Sequence, residues 1–252
     1  MNRNQGPVIR VEQLEARYGD SLVLQDITFE VHRGEVFAVL GGSGSGKSTL
    51  LKHMIGLYSP SKGKILIEGR DIARAAEKEM REIRKGFGVL FQSSGLLGSM
   101  TLAENIALPI AEYLKLPPAV ADLLVRIKLN FVKLSGFEDY LPSELSGGMK
   151  KRAGLARAMA LDPGILFFDE PSAGLDPITS AEMDQLIIEI NRSLGTTMVI
   201  VTHELESIFA VAQRVIMLDS GTKTIIAEGN PRELKEHSPN PTVRKFFNRE
   251  VE

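Results

Sequence analysis

Residues 41–49 read Gly-Gly-Ser-Gly-Ser-Gly-Lys-Ser-Thr, the spacing G-x-x-x-x-G-K-[ST]. This pattern suits a polyphosphate. Across Gly41, Gly42, Ser43, Gly44, Ser45 and Gly46, glycine lets successive backbone N–H groups turn inward without a Cβ in the way. Lys47 adds a mobile positive charge for the β- and γ-phosphates, and Ser48 offers a hydroxyl to Mg²⁺. Thr49 opens a run to Ile55 that reads as a helix, whose N-terminus aims a positive dipole end at the phosphates. The bland alternative is a flexible Gly/Ser linker. Such a linker would not sit between a buried strand and an amphipathic helix.

A second set lies downstream. Ile165-Leu166-Phe167-Phe168 is apolar and ends in Asp169-Glu170. A strand holds two such carboxylates at the edge of a parallel sheet where ligands bind. There Asp169 would organise Mg²⁺ through water, and Glu170 would polarise an attacking water. The same run can be a plain strand exit, but the phosphate loop upstream favours the chemical reading. Leu145-Ser146-Gly147-Gly148-Met149 places two glycines behind a Ser cap at a helix start, a second anion site. The following Lys150-Lys151-Arg152 reads as a solvated helix face rather than a nucleic-acid surface. Three residues stay open when taken alone. Tyr18 is a nucleobase platform or a local turn residue, Gln92 a water or Mg²⁺ ligand or a solvated loop residue, and His203 a γ-phosphate contact or a structural histidine.

Elements must position these groups. Residues 36–40 form a short apolar run just before the glycine loop, which gives the order strand, loop, helix. Residues 8–14 and 23–31 alternate and predict an antiparallel region beside the nucleotide site, joined through a turn at 16–20. Residues 64–68 and 88–92 read as strands and 75–85 as a surface helix. Residues 93–100 place Leu96, Leu97 and Met100 among Ser and Gly with no period. Such a loop is tucked into the core or kept as a docking surface. Thr101-Leu102-Ala103-Glu104 has capping-box spacing, and helical periodicity follows, cut into pieces by Pro109, Pro117 and Pro118. Asp176-Pro177 starts another helix, running to about Leu194. Residues 196–201 form a buried strand, a hairpin flanks 219–223, and 231–236 form a short helix.

These elements predict an α/β P-loop NTPase with a mostly parallel core sheet, an N-terminal antiparallel β-region and an inserted helical subdomain. The expected division is one domain, with a sheet-based core at about 1–100 and 161–238 (RecA-like by the resemblance given below) and helices at about 101–160. A tail at 239–252, with Val243, Phe246 and Phe247, docks on its own domain or on a partner.

Composition narrows the classes. The chain has 252 residues, 43% hydrophobic and 25% charged, an ordinary globular balance. A net charge of −2 gives no pointer to nucleic acid. There is no cysteine, so no disulfide and no thiol chemistry, which fits a reducing cytoplasm. Residues 1–10 are polar with no signal-peptide core, and the longest apolar runs are too short to span a bilayer.

Taken together, the motifs resemble the ATP-binding cassette (ABC) ATPases over nearly the whole chain. Leu145–Met149 is similar to the signature motif of that family, in the right order between P-loop and Walker B carboxylates. The resemblance implies that Tyr18 stacks on adenine, Gln92 is the Q-loop residue, residues 172–176 are the D-loop and His203 is the switch histidine. It implies ATP and Mg²⁺ as ligands and a homodimer with two nucleotides sandwiched between subunits. Ser146, Gly147 and Gly148 of one subunit then meet the γ-phosphate held by the other's Lys47. Two departures stand out: Gly42 replaces the common Pro or Glu, and Ser172-Ala173 replaces the common Thr-Ser.

A narrower resemblance is to the ATPases of Mla/Mce-type lipid transporters, carried by residues 144–152, 156–158, 174–180 and 91–105, with Met149 where Gln is common. It implies a phospholipid transporter subunit, cytoplasmic and peripheral on the inner membrane. The implied partners are a transmembrane permease docked near Leu96, Leu97 and Met100, and an Mce-type lipid-binding subunit. The rival readings are the ATPase of another transporter, such as an amino-acid importer, and a soluble non-transport ABC protein. No C-terminal sensing domain, heptad run or Cys cluster supports either.

Overall fold

Strands apolar on both faces separate from strands that alternate, and the chain sorts them into two sheets. In the computed structural model, which describes residues 6–249, β1 (Ile9–Tyr18) and β2 (Ser21–Val31) pair antiparallel around Gly19-Asp20. β3 (Val36–Gly41) is buried at every residue and leads through the glycine loop into α1 (Lys47–Met54). β4 (Lys62–Ile67) and β5 (Arg70–Asp71) complete a four-stranded antiparallel sheet in the order β2-β1-β4-β5. Then come α2 (Glu77–Lys85), β6 (Phe87–Leu90), α3 (Leu102–Tyr113) and α4 (Pro118–Phe131). A 3-10 turn at Pro142–Glu144 precedes α5 (Gly147–Ala158) and β7 (Ile165–Asp169). α6 (Pro177–Leu194), β8 (Thr197–Val201), α7 (Leu205–Val211), β9 (Arg214–Leu218) and β10 (Ile225–Gly229) follow. α8 (Pro231–His237) and α9 (Pro241–Asn248) end the described chain.

The second sheet has the order β10-β9-β3-β8-β7-β6, parallel except for β10. Its central strands are covered on both faces, as a parallel sheet requires. Along β3, Val36, Ala38 and Leu40 enter the core shared with α3 to α6, while Phe37 and Val39 enter the core under the antiparallel sheet. The period of two thus splits one strand between two layers. Phe37 stacks on Phe29 of β2 at 5.3 Å, worth about 0.5–1.5 kcal/mol beyond area burial. Register does the positioning. Val201 pairs with Val39 on one side and Asp169 on the other, so three strand ends meet at one edge.

Helix starts follow their caps. Thr101 Oγ1 accepts from Glu104 N at 3.2 Å while Glu104 Oε2 accepts from Thr101 N at 2.8 Å, the reciprocal box expected from the sequence. Asp176 Oδ1 accepts from Ile178 N and Thr179 N, both at 3.1 Å, with Pro177 at the first helical position. Gly195, at φ +66, stops α6.

Four expectations are corrected. β1 runs through Tyr18, because residues 16–18 pair with Leu24, Leu22 and Ser21, so the turn is only Gly19-Asp20. Pro109 lies inside α3 without ending it, because Leu102, Asn105, Ile106 and Ile110 still bury one face; only Pro117-Pro118 separates helices, with Pro118 opening α4. β6 stops at Leu90, leaving Gln92 in the loop beyond. Lys151, expected on a solvated face, is buried at 5% exposure, because α5 packs against β6 and the end of β7. In the tail, α9 packs on its own chain, with Val243 and Phe247 buried and Phe247 against Phe209. Residues 1–5 and 250–252, parts of the N-terminal and tail readings, lie outside the described residues.

Candidate active site

The loop after β3 is shaped by where a Cβ cannot go. Gly41 sits at φ +146, and a Cβ there would stand 2.4 Å from both the Leu218 carbonyl oxygen and Ser45 Oγ. Gly46, at φ +92, caps α1, and its Cβ would meet Leu24 of β2 at 2.7 Å. Both need glycine. Gly42 does not: its φ is ordinary and the space around it is open, so the departure there leaves the loop's shape intact. α1 has no side-chain cap and no acid in its first turn. Its leading N–H groups therefore have no side-chain acceptor and form an anion site. Lys47 Nζ curls back, donating to Gly41 O at 2.8 Å and Gly42 O at 2.9 Å. Burial pushes its pKa down, and the charges of Glu170 and Asp169 pull it back up.

Beside the loop stand the two carboxylates. Ser48 Oγ donates to Asp169 Oδ1 at 3.4 Å. Burial raises the Asp169 pKa, the neighbouring Glu170 charge raises it further, and the Ser48 hydroxyl partly offsets both. Glu170 has the left-handed φ of +49, with its N–H given to Val201 O at 2.8 Å. Its Oε1 lies 2.9 Å from His203 Nδ1, and its Oε2 is buried with no hydrogen-bond partner among the described residues. Gly41, Gly42, Ser43, Gly44, Lys47, Ser48, Gln92, Glu170 and His203 line one cleft of ≈ 630 Å³.

The remaining sequence candidates sit at or beyond its margins. Asp169 joins the cleft through the hydrogen bond from Ser48, while Thr49 meets Tyr18 outside the lining. Tyr18 Oη is 3.4 Å from Thr49 Oγ1, the residue is 46% exposed, and the Tyr58 ring meets its ring edge-on at 5.8 Å. Ser45, within the loop, is buried with Oγ lacking a partner among the described residues. Ser146, Gly147 and Gly148 do not line this cleft. They open α5 elsewhere on the surface, with Ser146 Oγ accepting from Met149 N at 3.3 Å and no acid in the first turn. One chain thus carries two anion-ready helix starts facing separate spaces.

Sequence reasoning missed three groups here. Lys151 donates from Nζ to Glu170 O at 2.8 Å. Gly148, Lys151 and Leu155 share the buried stripe of α5 at i, i+3 and i+7, a period that would have placed Lys151 inward. Phe246 and Arg249 of the C-terminal segment also line the cleft, and no motif marks them.

Behind the site, Asp184 of α6 is buried with Oδ1 unpartnered among the described residues. Burial raises its pKa to about 6, Ser207 pulls the other way and Glu204 adds to the rise. Between the ordinary value of 3.8 and about 6 the folded chain keeps a proton that the unfolded chain has lost. Stability therefore falls as pH rises through that window, and the cost is complete above it. Asp184→Asn is expected to raise stability on the order of 1–3 kcal/mol near neutral pH, with the gain vanishing near pH ~4. Denaturant melts at the two pH values check this. A variant less stable than wild type at neutral pH would mean the carboxylate is paired.

Comparison with known proteins follows this geometry. The family model described as ABC transporter matches residues 24–173. The chain is 45% identical over 243 residues to the probable ribonucleotide transport ATP-binding protein mkl of Mycobacterium leprae, covering 96% of this chain and 69% of that one. It is 39% identical over 234 residues to the intermembrane phospholipid transport system ATP-binding protein MlaF of Haemophilus influenzae, covering 93% and 87%. The dimeric, post-hydrolysis structure of the ATP-binding cassette MJ0796 with ADP and Pi superposes with a TM-score of 0.79 at 27% identity, covering 88% and 98%. From the first antiparallel sheet to the loop after Asp169, then, sequence and backbone agree, and the chain belongs to the ABC transporter family, as an ATPase subunit.

Proposed function

We propose that this ATPase drives phospholipid movement between membranes, working as a pair of identical subunits on the cytoplasmic face of a permease in the inner membrane. The carrying observation is the near end-to-end match to MlaF, 93% of this chain and 87% of that one, where mkl is covered over 69% of its length. The name of mkl supports a second reading, a nucleotide-type cargo, on 45% identity. No helix among the described residues is long and apolar enough to cross a membrane, so the permease would do the spanning.

The residues fit an ATP–Mg²⁺ ligand. The loop holds its shape only with glycine at Gly41 and Gly46, where a Cβ would run into Leu218, Ser45 and Leu24. Ser48 and Asp169 offer the hard oxygen donors that Mg²⁺ prefers, with Gln92 at the cleft wall. When bound, Mg²⁺ neutralises charge on the β- and γ-phosphate oxygens. Tyr18 gives adenine a half-exposed ring, and Lys47 leaves its loop carbonyls for the phosphates. Glu170 takes the proton of the attacking water, with His203 holding the carboxylate and contacting the γ-phosphate. Ser146, Gly147 and Gly148 meet the nucleotide of the second subunit, which accounts for two anion sites that one chain does not join.

The permease docks on the loop after β6. Buried Asn105 pins that loop: its Oδ1 accepts from Leu97 N at 2.8 Å, and Nδ2 lies within 3.1 Å of the carbonyls of Leu97, Met100 and Thr101. Leu96 packs inward while Leu97 is 42% exposed, an apolar knob on a fixed base. Leu97→Asp is expected to spare ATP binding and to weaken complex assembly about tenfold or more, the size of one well-buried interface anchor. Co-purification with the membrane partner measures it. Unchanged assembly removes this loop from the docking surface. An Mce-type lipid-binding subunit would join on the permease side.

The deciding experiment is purification of tagged chain from solubilised membranes of its host with ATP, followed by mass spectrometry of proteins and lipids. A multi-span permease with phospholipid supports the proposal. An amino-acid or nucleotide permease, or recovery only from the soluble fraction, leaves the ATPase and removes the lipid cargo.

A further inference from the structure

An ammonium group taken out of water needs its donors used and its charge answered. Lys151 is 5% exposed and gives Nζ to the Glu170 carbonyl oxygen at 2.8 Å. Burial pushes its pKa down, while the charges of Asp169, Glu170 and Glu204 hold the proton on. The target of this bond is unusual. Glu170 is a non-glycine residue at φ +49, a conformation that persists only where the surroundings over-determine it. Its backbone is held by three bonds: N–H to Val201 O at 2.8 Å, O from Ala173 N at 3.2 Å, and O from Lys151. The first two come from the backbone. The third is a side chain reaching over from α5.

The rest of α5 explains why that helix can serve. Its N-terminus is the Ser146-Gly147-Gly148 anion site. Further along, Gly154 lies so close to the loop after β6 that a Cβ would stand 2.5 Å from Ser94 O. Arg157 then donates to Gly95 O, three residues past Gln92. One straight helix therefore touches the signature end, the backbone of Glu170 and the loop carrying Gln92.

We propose that Lys151 is a positioning residue for Glu170: its bond to the Glu170 carbonyl fixes the strained backbone so that the carboxylate stays against His203 and faces the cleft. The inference rests on the reading of Glu170 as the general base. Lys151 touches no substrate and acts only through the residue it holds. The helix that presents Ser146-Gly147-Gly148 to a second subunit is thereby tied to the base of its own subunit.

The test is steady-state ATP hydrolysis by the full chain carrying Lys151→Met, Lys151→Arg, Glu170→Gln, or Lys151→Met with Glu170→Gln. Lys151→Met is expected to lower kcat about 10- to 100-fold, the cost of a misplaced catalytic group. KM and equilibrium ATP affinity stay within about twofold, the pattern of an interaction that matters only in the transition state. Lys151→Arg restores the donor and returns kcat to within about threefold of wild type. The double variant is no slower than Glu170→Gln alone, because Lys151 has nothing left to position. A merely structural lysine would slow the Glu170→Gln background as much as the wild type, and that result overturns the proposal. So does wild-type kcat for Lys151→Met, or a folded, ATP-binding Lys151→Arg as slow as Glu170→Gln. If Lys151→Met fails to fold, the Arg variant decides. Wild-type turnover by Glu170→Gln is a separate failure, and it removes the general-base reading itself.

Discussion

Glu170→Gln is expected to bind ATP at least as tightly as wild type and to hydrolyse it roughly 10²–10⁴-fold more slowly, the range a positioned general base contributes. The substitution keeps volume and one oxygen, so the bond to His203 Nδ1 at 2.9 Å can persist while the proton acceptor is gone. The buried Oε2 has no hydrogen-bond partner among the described residues, so an amide nitrogen placed there breaks no existing bond. Electrostatics sets the sign of the binding change. The Glu170 charge is the second cause raising the Asp169 pKa, after burial. Removing it lets Asp169 ionise more readily and takes one negative charge away from incoming phosphates. Single-turnover hydrolysis and equilibrium nucleotide binding measure the two halves. Turnover at the wild-type rate would mean another group activates water; weakened binding would mean Glu170 helps hold the nucleotide.

Much of this arrangement was legible because it is local. The glycine loop, the Thr101–Glu104 box and the Asp176-Pro177 cap are each set within a few residues, by φ, sterics or one side-chain bond. Strand registers could not be read this way, yet the apolar runs before the loop and before Asp169-Glu170 implied a parallel sheet with both at one edge. What failed was decided by partners distant in sequence. Tyr18 looked like a turn residue until β2 supplied its pairing partner, Ser21, across the two-residue turn. Lys151 looked solvated because two basic neighbours surround it, and only the end of β7 makes its position an interior one. Phe246 and Arg249 reach the cleft because Val243 and Phe247 anchor α9 to the core. That is tertiary packing with no local signature.

The two anion sites divide the labour differently. The first, at α1, is completed within one chain by Lys47, Ser48 and the carboxylates. The second, at the start of α5, has no acid in its first turn and lies apart from the cleft that holds Lys47 and Ser48. On the proposed reading a subunit alone holds a nucleotide, and catalysis waits for a second subunit to close the site. This makes hydrolysis conditional on assembly, which a transporter requires if ATP is not to be spent apart from cargo movement.

Gly147→Asp separates those two steps. Gly147 is exposed, its φ is ordinary, and a Cβ there has only Leu175 at 3.6 Å, so a side chain fits without strain. Its neighbour is unsuitable for the same purpose. A Cβ on Gly148 would stand 2.4 Å from Thr179 Cγ2, and Thr179 is locked by its hydroxyl bond to Asp176 Oδ2 at 2.6 Å. At Gly147 the side chain has room, and its charge lands where the proposed dimer brings the second subunit's γ-phosphate. Juxtaposed like charges cost several kcal/mol, so turnover is expected to fall about 10²-fold or more. An acid in a first helical turn is itself mildly stabilising, so the melting temperature should hold. ATP affinity of the isolated subunit should also be unchanged, because that site belongs to Lys47. Gly147→Ala, with the Cβ but no charge, should retain most activity. Hydrolysis, ATP-dependent dimerisation by sedimentation and nucleotide affinity together read the result. Lost affinity in the single subunit would place Gly147 in the same site as Lys47, and normal turnover would mean the α5 terminus receives no phosphate.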